Sequence, residues 1–191
     1  MPMTLPPAPH QGLDLIRANV PFLIDQDGVI SLDEIVASKI KIARPHPIHV
    51  ITAAEFFKDD LLADAKLKGW QFLILSHQSV FASAEVSHAD KPGEMMFTVL
   101  RYREYAHPIA DALRKAESLP EVQEEEYQLR ILRAPGMSLR AVWLSRPGKD
   151  ILIPIANAPK PLRANEPITP AEMKASLLPL AQVRSGMQFL E

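Results

Sequence analysis

The chain has 191 residues, 47% of them apolar and 23% charged, with 21 basic against 23 acidic side chains and no cysteine. That balance is typical of a globular protein long enough to bury a core without staples. It excludes disulfides, thiolate metal sites and a thiol nucleophile, and with no basic excess to neutralise phosphates, nucleic acid is not an expected partner.

Residues 1–12, MPMTLPPAPHQG, are proline-rich and predict an arm ahead of a single domain over 13–191. They show neither a basic n-region nor an apolar run of signal-peptide length, and the longest strongly apolar run, residues 72–75, is far too short to cross a membrane. A cytoplasmic protein with no membrane partner is the expectation.

An N-terminal helical part is expected over 13–68. Pro21 predicts that a helix starting in LDLIRANVPFLID stops at Asn19, because the residue before a proline resists the α conformation. Residues 22–25 then read as extended, joined to VIS by a Gln-Asp-Gly turn. Ser31 and Glu34 make a capping box ahead of an apolar stripe at Ile35, Val36 and Ile40. ARPHPIHVI must be extended, since Pro45 and Pro47 forbid helix. Thr52 and Glu55 make a second capping box. The spacing of Phe56, Phe57, Leu61, Ala65 and Leu67 predicts the chain's strongest helix, ended by Gly69.

A β-β-β-α unit is expected over 70–118. WQFLILS is apolar on both faces and reads as a central strand. VFASAEVSH alternates, with Val80, Ala82, Ala84 and Val86 on one face and Phe81, Ser83, Glu85 and Ser87 on the other. MMFTVLRYRE follows, then a helix in HPIADALRKAESL with Pro108 in its first turn. The same order returns over 126–181: EYQLRILRA, MSLRAVWLS and DILIPIA, parted by Pro-Gly turns, then a helix capped by Thr169 and Glu172. The two units repeat in architecture and not residue by residue. The predicted fold class is α+β: a mostly antiparallel sheet of about six strands from two β-β-β-α units, helices packed on one face.

Chemistry is thinly marked. With Gly28 at the sixth position of an EF-hand loop, Asp25, Asp27, Ser31 and Glu34 fall at positions three, five, nine and twelve. Leu23 then occupies position one, where it offers no side-chain oxygen, and Pro21 opposes an entering helix. The loop therefore reads as a turn rather than a calcium site, and no metal or cofactor is expected. His46 and His49 lie three apart in extended chain, on opposite faces, without the acidic cluster that would complete a coordination shell. The densest stretch is RYREYAHP. Tyr102 and Glu104 are placed on one face of a strand end, and His107 at a helix N-terminus, where the dipole favours a neutral imidazole. Arg130 and Arg140, in neighbouring strands, would present two guanidinium groups on one face for an anion or a carboxylate. Neither a nucleophile elbow nor a phosphate-binding glycine loop is present.

The element order is similar, at the level of fold, to small bacterial secretion chaperones, which dimerise and hold partner polypeptides across a sheet-and-helix surface. No motif is shared, and this chain is nearly neutral where those chaperones are strongly acidic. The expected function is that of a bacterial-type cytoplasmic module without catalysis, acting through a protein partner or as a homo-oligomer. The alternative is a small enzyme or small-molecule binder built on Tyr102, Glu104, His107, Arg130 and Arg140.

Overall fold

The computed structural model describes residues 3–5, 7, 9–26, 40–43, 45–89, 91 and 93–187. In chain order they form β1 (Met3–Thr4), α1 (His10–Gln26), β2 (Lys41–Ile42), β3 (His46–Val50), a 3-10 turn at Ala53–Phe57, β4 (Lys66–Ser76), β5 (Ser79–His88) and β6 (Met95–Tyr102). Then come α2 (Arg103–Glu117), α3 (Pro120–Glu124), β7 (Tyr127–Ala134), β8 (Leu139–Ser145), β9 (Ile151–Pro154) and α4 (Pro170–Met187). The class is α+β. The chain divides into two compact units, one of Leu5–Pro47 and Lys68–Ala110, the other of Met1–Thr4, Ile48–Leu67 and Asp111–Glu191.

The first of these, the meander unit, is antiparallel throughout its described pairings: β2 with β4, β4 with β5, and β5 with β6. Trp70, Phe72 and Ile74 of β4 and Ala82, Ala84 and Val86 of β5 share one face, where α1 buries Ile16 and Val20 against them. A Cβ on Gly69 would lie 2.1 Å from the Val86 carbonyl oxygen, so only glycine fits that crossing of the strands. The β4–β5 connection is a two-residue loop with both residues left-handed, His77 at φ 48° and Gln78 at φ 69°. This is the backbone pattern of a type I′ turn, whose twist matches that of the strands it joins.

The second, mixed unit departs from the antiparallel expectation. β7 pairs in parallel with β1 and with β3, and antiparallel with β8, which in turn pairs with β9. Nine strands are present among the described residues instead of about six. β1 and β2 are two residues each, too short to leave a periodic signal, and β3 comes from the proline-containing stretch read only as extended chain. Both faces of the β7–β8 pair are largely buried. Leu132, Ala134, Ala141 and Trp143 pack with Met173, Leu177 and Ala181 of α4, while Leu129, Ile131, Val142 and Leu144 on the opposite face are buried too. A run apolar at both parities is the mark of a strand covered twice.

Three helix boundaries differ from the sequence reading. α1 continues through Pro21 to Gln26, so residues 22–25 are helical and not extended. A proline removes one hydrogen bond and strains one turn, which a seventeen-residue helix packed on a sheet tolerates. The helix expected from Thr52 shrinks to the 3-10 turn Ala53–Phe57, although its capping box forms as read, with the Glu55 carboxylate accepting from the Thr52 amide at 2.6 Å. It closes at Lys58, whose amide donates to the Glu55 carbonyl at 3.1 Å, and beyond it the Asp60 carboxylate accepts from the Leu62 amide at 2.9 Å, a local bond that competes with helix. α2 begins at Arg103, so His107 lies in its second turn and not at its N-terminus. The helix expected from the Ser31–Glu34 capping box lies outside the described residues, as do Asp27, Ser31 and Glu34 themselves. Asp25 falls in the last turn of α1. The proline objection to a calcium loop thus falls away, and Leu23 at its first position is the one that stands.

Candidate functional site

The residues singled out from RYREYAHP do structural work in the meander unit. Tyr102 closes β6, half-buried, with its ring edge-on to Phe81 at 5.7 Å. Glu104 is exposed in the first turn of α2. His107 Nε2 lies 2.8 Å from the Val80 carbonyl oxygen. A carbonyl only accepts, so the imidazole donates from Nε2 and its tautomer is set. Val80 adjoins the point where β5 carries an extra residue, Phe81, opposite β4, and His107 serves a carbonyl beside that interruption of the ladder. Arg101 stacks over Tyr105 at 5.1 Å and Arg103 over Phe81 at 6.0 Å.

Arg130 and Arg140 belong to the mixed unit, and the register separates them. Arg130 is opposite Trp143, whereas Arg140 is opposite Arg133, an odd step along β7, so the two guanidinium groups leave opposite faces. The expectation that they share a face is corrected: sequence parity within each strand says nothing about the register between strands. Within neither unit are the five residues gathered.

Arg130 instead takes part in a different constellation. Its guanidinium lies 4.5 Å over the Trp143 ring and donates to Gln128 Oε1 at 2.7 Å. Trp143 Nε1 donates to Asp150 at 2.8 Å, and His49 meets the same ring edge-on at 5.4 Å. Partial burial pulls the Arg130 guanidinium down from its ordinary value, against the raising effect of Asp150. The indole is sandwiched into the core and satisfied at its rim. Sequence reasoning placed Trp143 in the core but had no way to find Asp150, seven residues on in a turn. Nearby, Glu125 is hydrogen-bonded by Arg146 and by Lys149, with Tyr127 donating to it at 3.2 Å. The two cations hold its carboxyl down at about 2.

The meander unit contains the more unusual interior. All four polar or charged residues that are buried among the described ones lie here: His46, Gln71, Ser83 and Glu85. Gln71 and Glu85 are cross-strand partners, and Gln71 Nε2 donates to Glu85 Oε1 at 3.3 Å. Gln71 Oε1, Ser83 Oγ and His46 Nδ1 are buried without a hydrogen-bond partner. Burial presses the His46 imidazole down to about 4, a backbone bond to Gln71 opposing it, so it is neutral near pH 7. The alternation of VFASAEVSH was the signal for Ser83 and Glu85. Gln71 was legible only as a polar residue enclosed by the apolar run of WQFLILS. Among the described residues Ser83 Oγ has no hydrogen-bonded base that would activate it.

The same unit holds a groove of about 650 Å³ beside the start of α1, lined among others by Leu13, Ile40 and Ile42, with Phe72 buried behind them. His10, Arg17 and Lys41 stand along it. Among the described residues no group of three His, Asp or Glu side chains is placed to hold a metal ion, and no helix is long and apolar enough to cross a membrane.

No protein-family model, characterised protein or solved structure matches this chain. Its function is therefore argued from its own residues.

Proposed function

We propose that the protein is a non-catalytic association module of bacterial type, working in the cytoplasm as a homo-oligomer through the outer edge of β6. The observation that carries this reading is the edge itself. Among the described residues β6 pairs only with β5, and its run MMFTVLRY contains neither proline nor lysine. The outer side of β9 in the other unit is different, being closed by Ile168, which exchanges two 2.8 Å backbone bonds with Leu152. An unpaired apolar edge is a template for one more strand. Met96 on β6 is about half exposed, a large apolar side chain left where an added strand would cover it. β6 carries one extra residue, Thr98, between Phe97 and Val99, and that bulge fixes where a second strand registers.

Native mass spectrometry with light scattering tests the reading on the wild type and on Met96→Lys/Thr98→Lys, both exposed positions. A wild-type dimer that the double variant converts to monomer, with its melting temperature kept, supports strand addition. A monomeric wild type, or a dimer indifferent to the two lysines, overturns it. The opposed faces of Arg130 and Arg140 argue against a small-molecule site built on those five residues, and the groove supports that alternative better.

A further inference from the structure

The groove beside α1 combines two properties that together specify a ligand. Its described lining is largely apolar: Leu13, Ile40 and Ile42 are half-buried along it, and Phe72 lies fully buried behind them. Its charged lining is of one sign. Arg17 and Lys41 line it together with His10, and no carboxylate is among its described lining residues. Asp14 does reach Arg17, at 3.7 Å, but both side chains are largely exposed, and such a pair holds its partner weakly. The start of α1 adds to the same sign. Pro9 and His10 line the groove where the helix begins, its first turn contains no acidic residue, and a helix N-terminus carries partial positive charge. A volume of about 650 Å³ is within the usual range for a pocket that buries a small organic ligand, roughly 300–1,000 Å³.

From this we infer that the groove binds an anionic amphiphile, a single-chain carboxylate whose tail lies on Leu13, Ile40 and Ile42 and whose head group meets Arg17 and Lys41. A cationic head would meet like charges, and a purely polar anion would leave the apolar walls uncovered. Burial of the tail supplies most of the affinity, while the head group fixes orientation and adds a salt-dependent part. This inference is independent of the association reading, since neither β6 nor its edge lines the groove.

Titration calorimetry of the full chain with dodecanoate, below its micelle concentration, is the test, with dodecyltrimethylammonium as the opposite-charge probe. Saturable one-to-one binding of dodecanoate is expected, and a loss of about tenfold or more for Arg17→Glu/Lys41→Glu, since tenfold corresponds to roughly 1.4 kcal/mol. Both positions are exposed, so the variant keeps its fold, checked by circular dichroism. Methyl resonances of Leu13, Ile40 and Ile42 are expected to shift on binding while those of Leu132 and Ile153 stay fixed. The inference is overturned by an absence of saturable heat, by equal affinity for the two probes, by affinity indifferent to the charge reversal, or by methyl shifts located elsewhere.

Discussion

In the mixed unit the face of β7 and β8 beneath α4 is closed by Leu132, Ala134, Leu139, Ala141 and Trp143, and the polar groups beside it, Arg130, Gln128 and Asp150, stand at its rim. In the meander unit Gln71, Ser83 and Glu85 point into a buried face of β4 and β5, with His46 also enclosed in that unit. Both interiors exclude water, yet only the meander unit buries whole polar residues; the mixed unit buries single polar atoms, His49 Nδ1, Arg133 Nε and Asn165 Oδ1, of side chains that are otherwise half-buried. A buried amide or hydroxyl left unpaired costs stability, whereas a rim residue keeps its solvent. The difference teaches that the mixed unit is built chiefly on packing, while the meander unit retains polar groups that work against its own stability.

The comparison breaks most severely at Leu132, fully buried under α4. Leu132→Ala is expected to cost about 2–5 kcal/mol, read by urea denaturation, because a packed apolar face cannot collapse around the void. On the meander side the largest effect is one of pH. His46 binds a proton near 6.5 when unfolded and near 4 when folded. Between those values the unfolded state holds the extra proton, so stability is full above about 6.5 and falls as the pH drops towards 4. The full loss is on the order of 3 kcal/mol. Denaturation midpoints at pH 7 and pH 4.5 check this, and His46→Phe should flatten the difference.

A finer distinction lies in the Gln71–Glu85 pair. Gln71→Ala removes the amide that donates to Glu85 and is expected to cost about 1–3 kcal/mol, whereas Gln71→Leu with Glu85→Leu should cost less than the single change. A double variant worse than the single one would mean that the pair stabilises rather than taxes the fold. The smallest effects come last. Ser83→Ala deletes a hydroxyl with no partner and should leave the melting temperature within about a degree or raise it, and Arg130→Ala should lose roughly 1 kcal/mol of stacking on Trp143.

Much of this was legible beforehand. The six long or well-patterned strands, the capping boxes at Thr52 and Thr169 and the α+β class all follow from local residue chemistry, which needs no knowledge of distant partners. The failures share a cause. Gly69 looked like a helix C-cap and is instead the only residue that fits where β5 crosses close to β4, a demand set by Val86 seventeen residues away. Arg130 and Arg140 looked like neighbours because each strand was read alone, and the register of β7 on β8 placed them on opposite faces. His107 was placed at a helix start, but α2 begins four residues earlier and the imidazole is committed to the Val80 carbonyl. Propensity stops at the element boundary, and pairing decides the rest.

The turn at His77 and Gln78 has a consequence in time. Both residues hold a left-handed backbone that asparagine and glycine adopt far more readily, so the unfolded chain seldom samples the bend that starts the β4–β5 ladder. A hairpin with a willing turn closes in roughly 1–10 μs, and here that first closure waits on two reluctant residues. β2 and β6 pair with the two strands of this ladder, so replacing His77–Gln78 with Asn–Gly is expected to quicken refolding more than it slows unfolding, read by stopped-flow refolding and unfolding rates. The bend would thereby act as the clock of the unit's assembly.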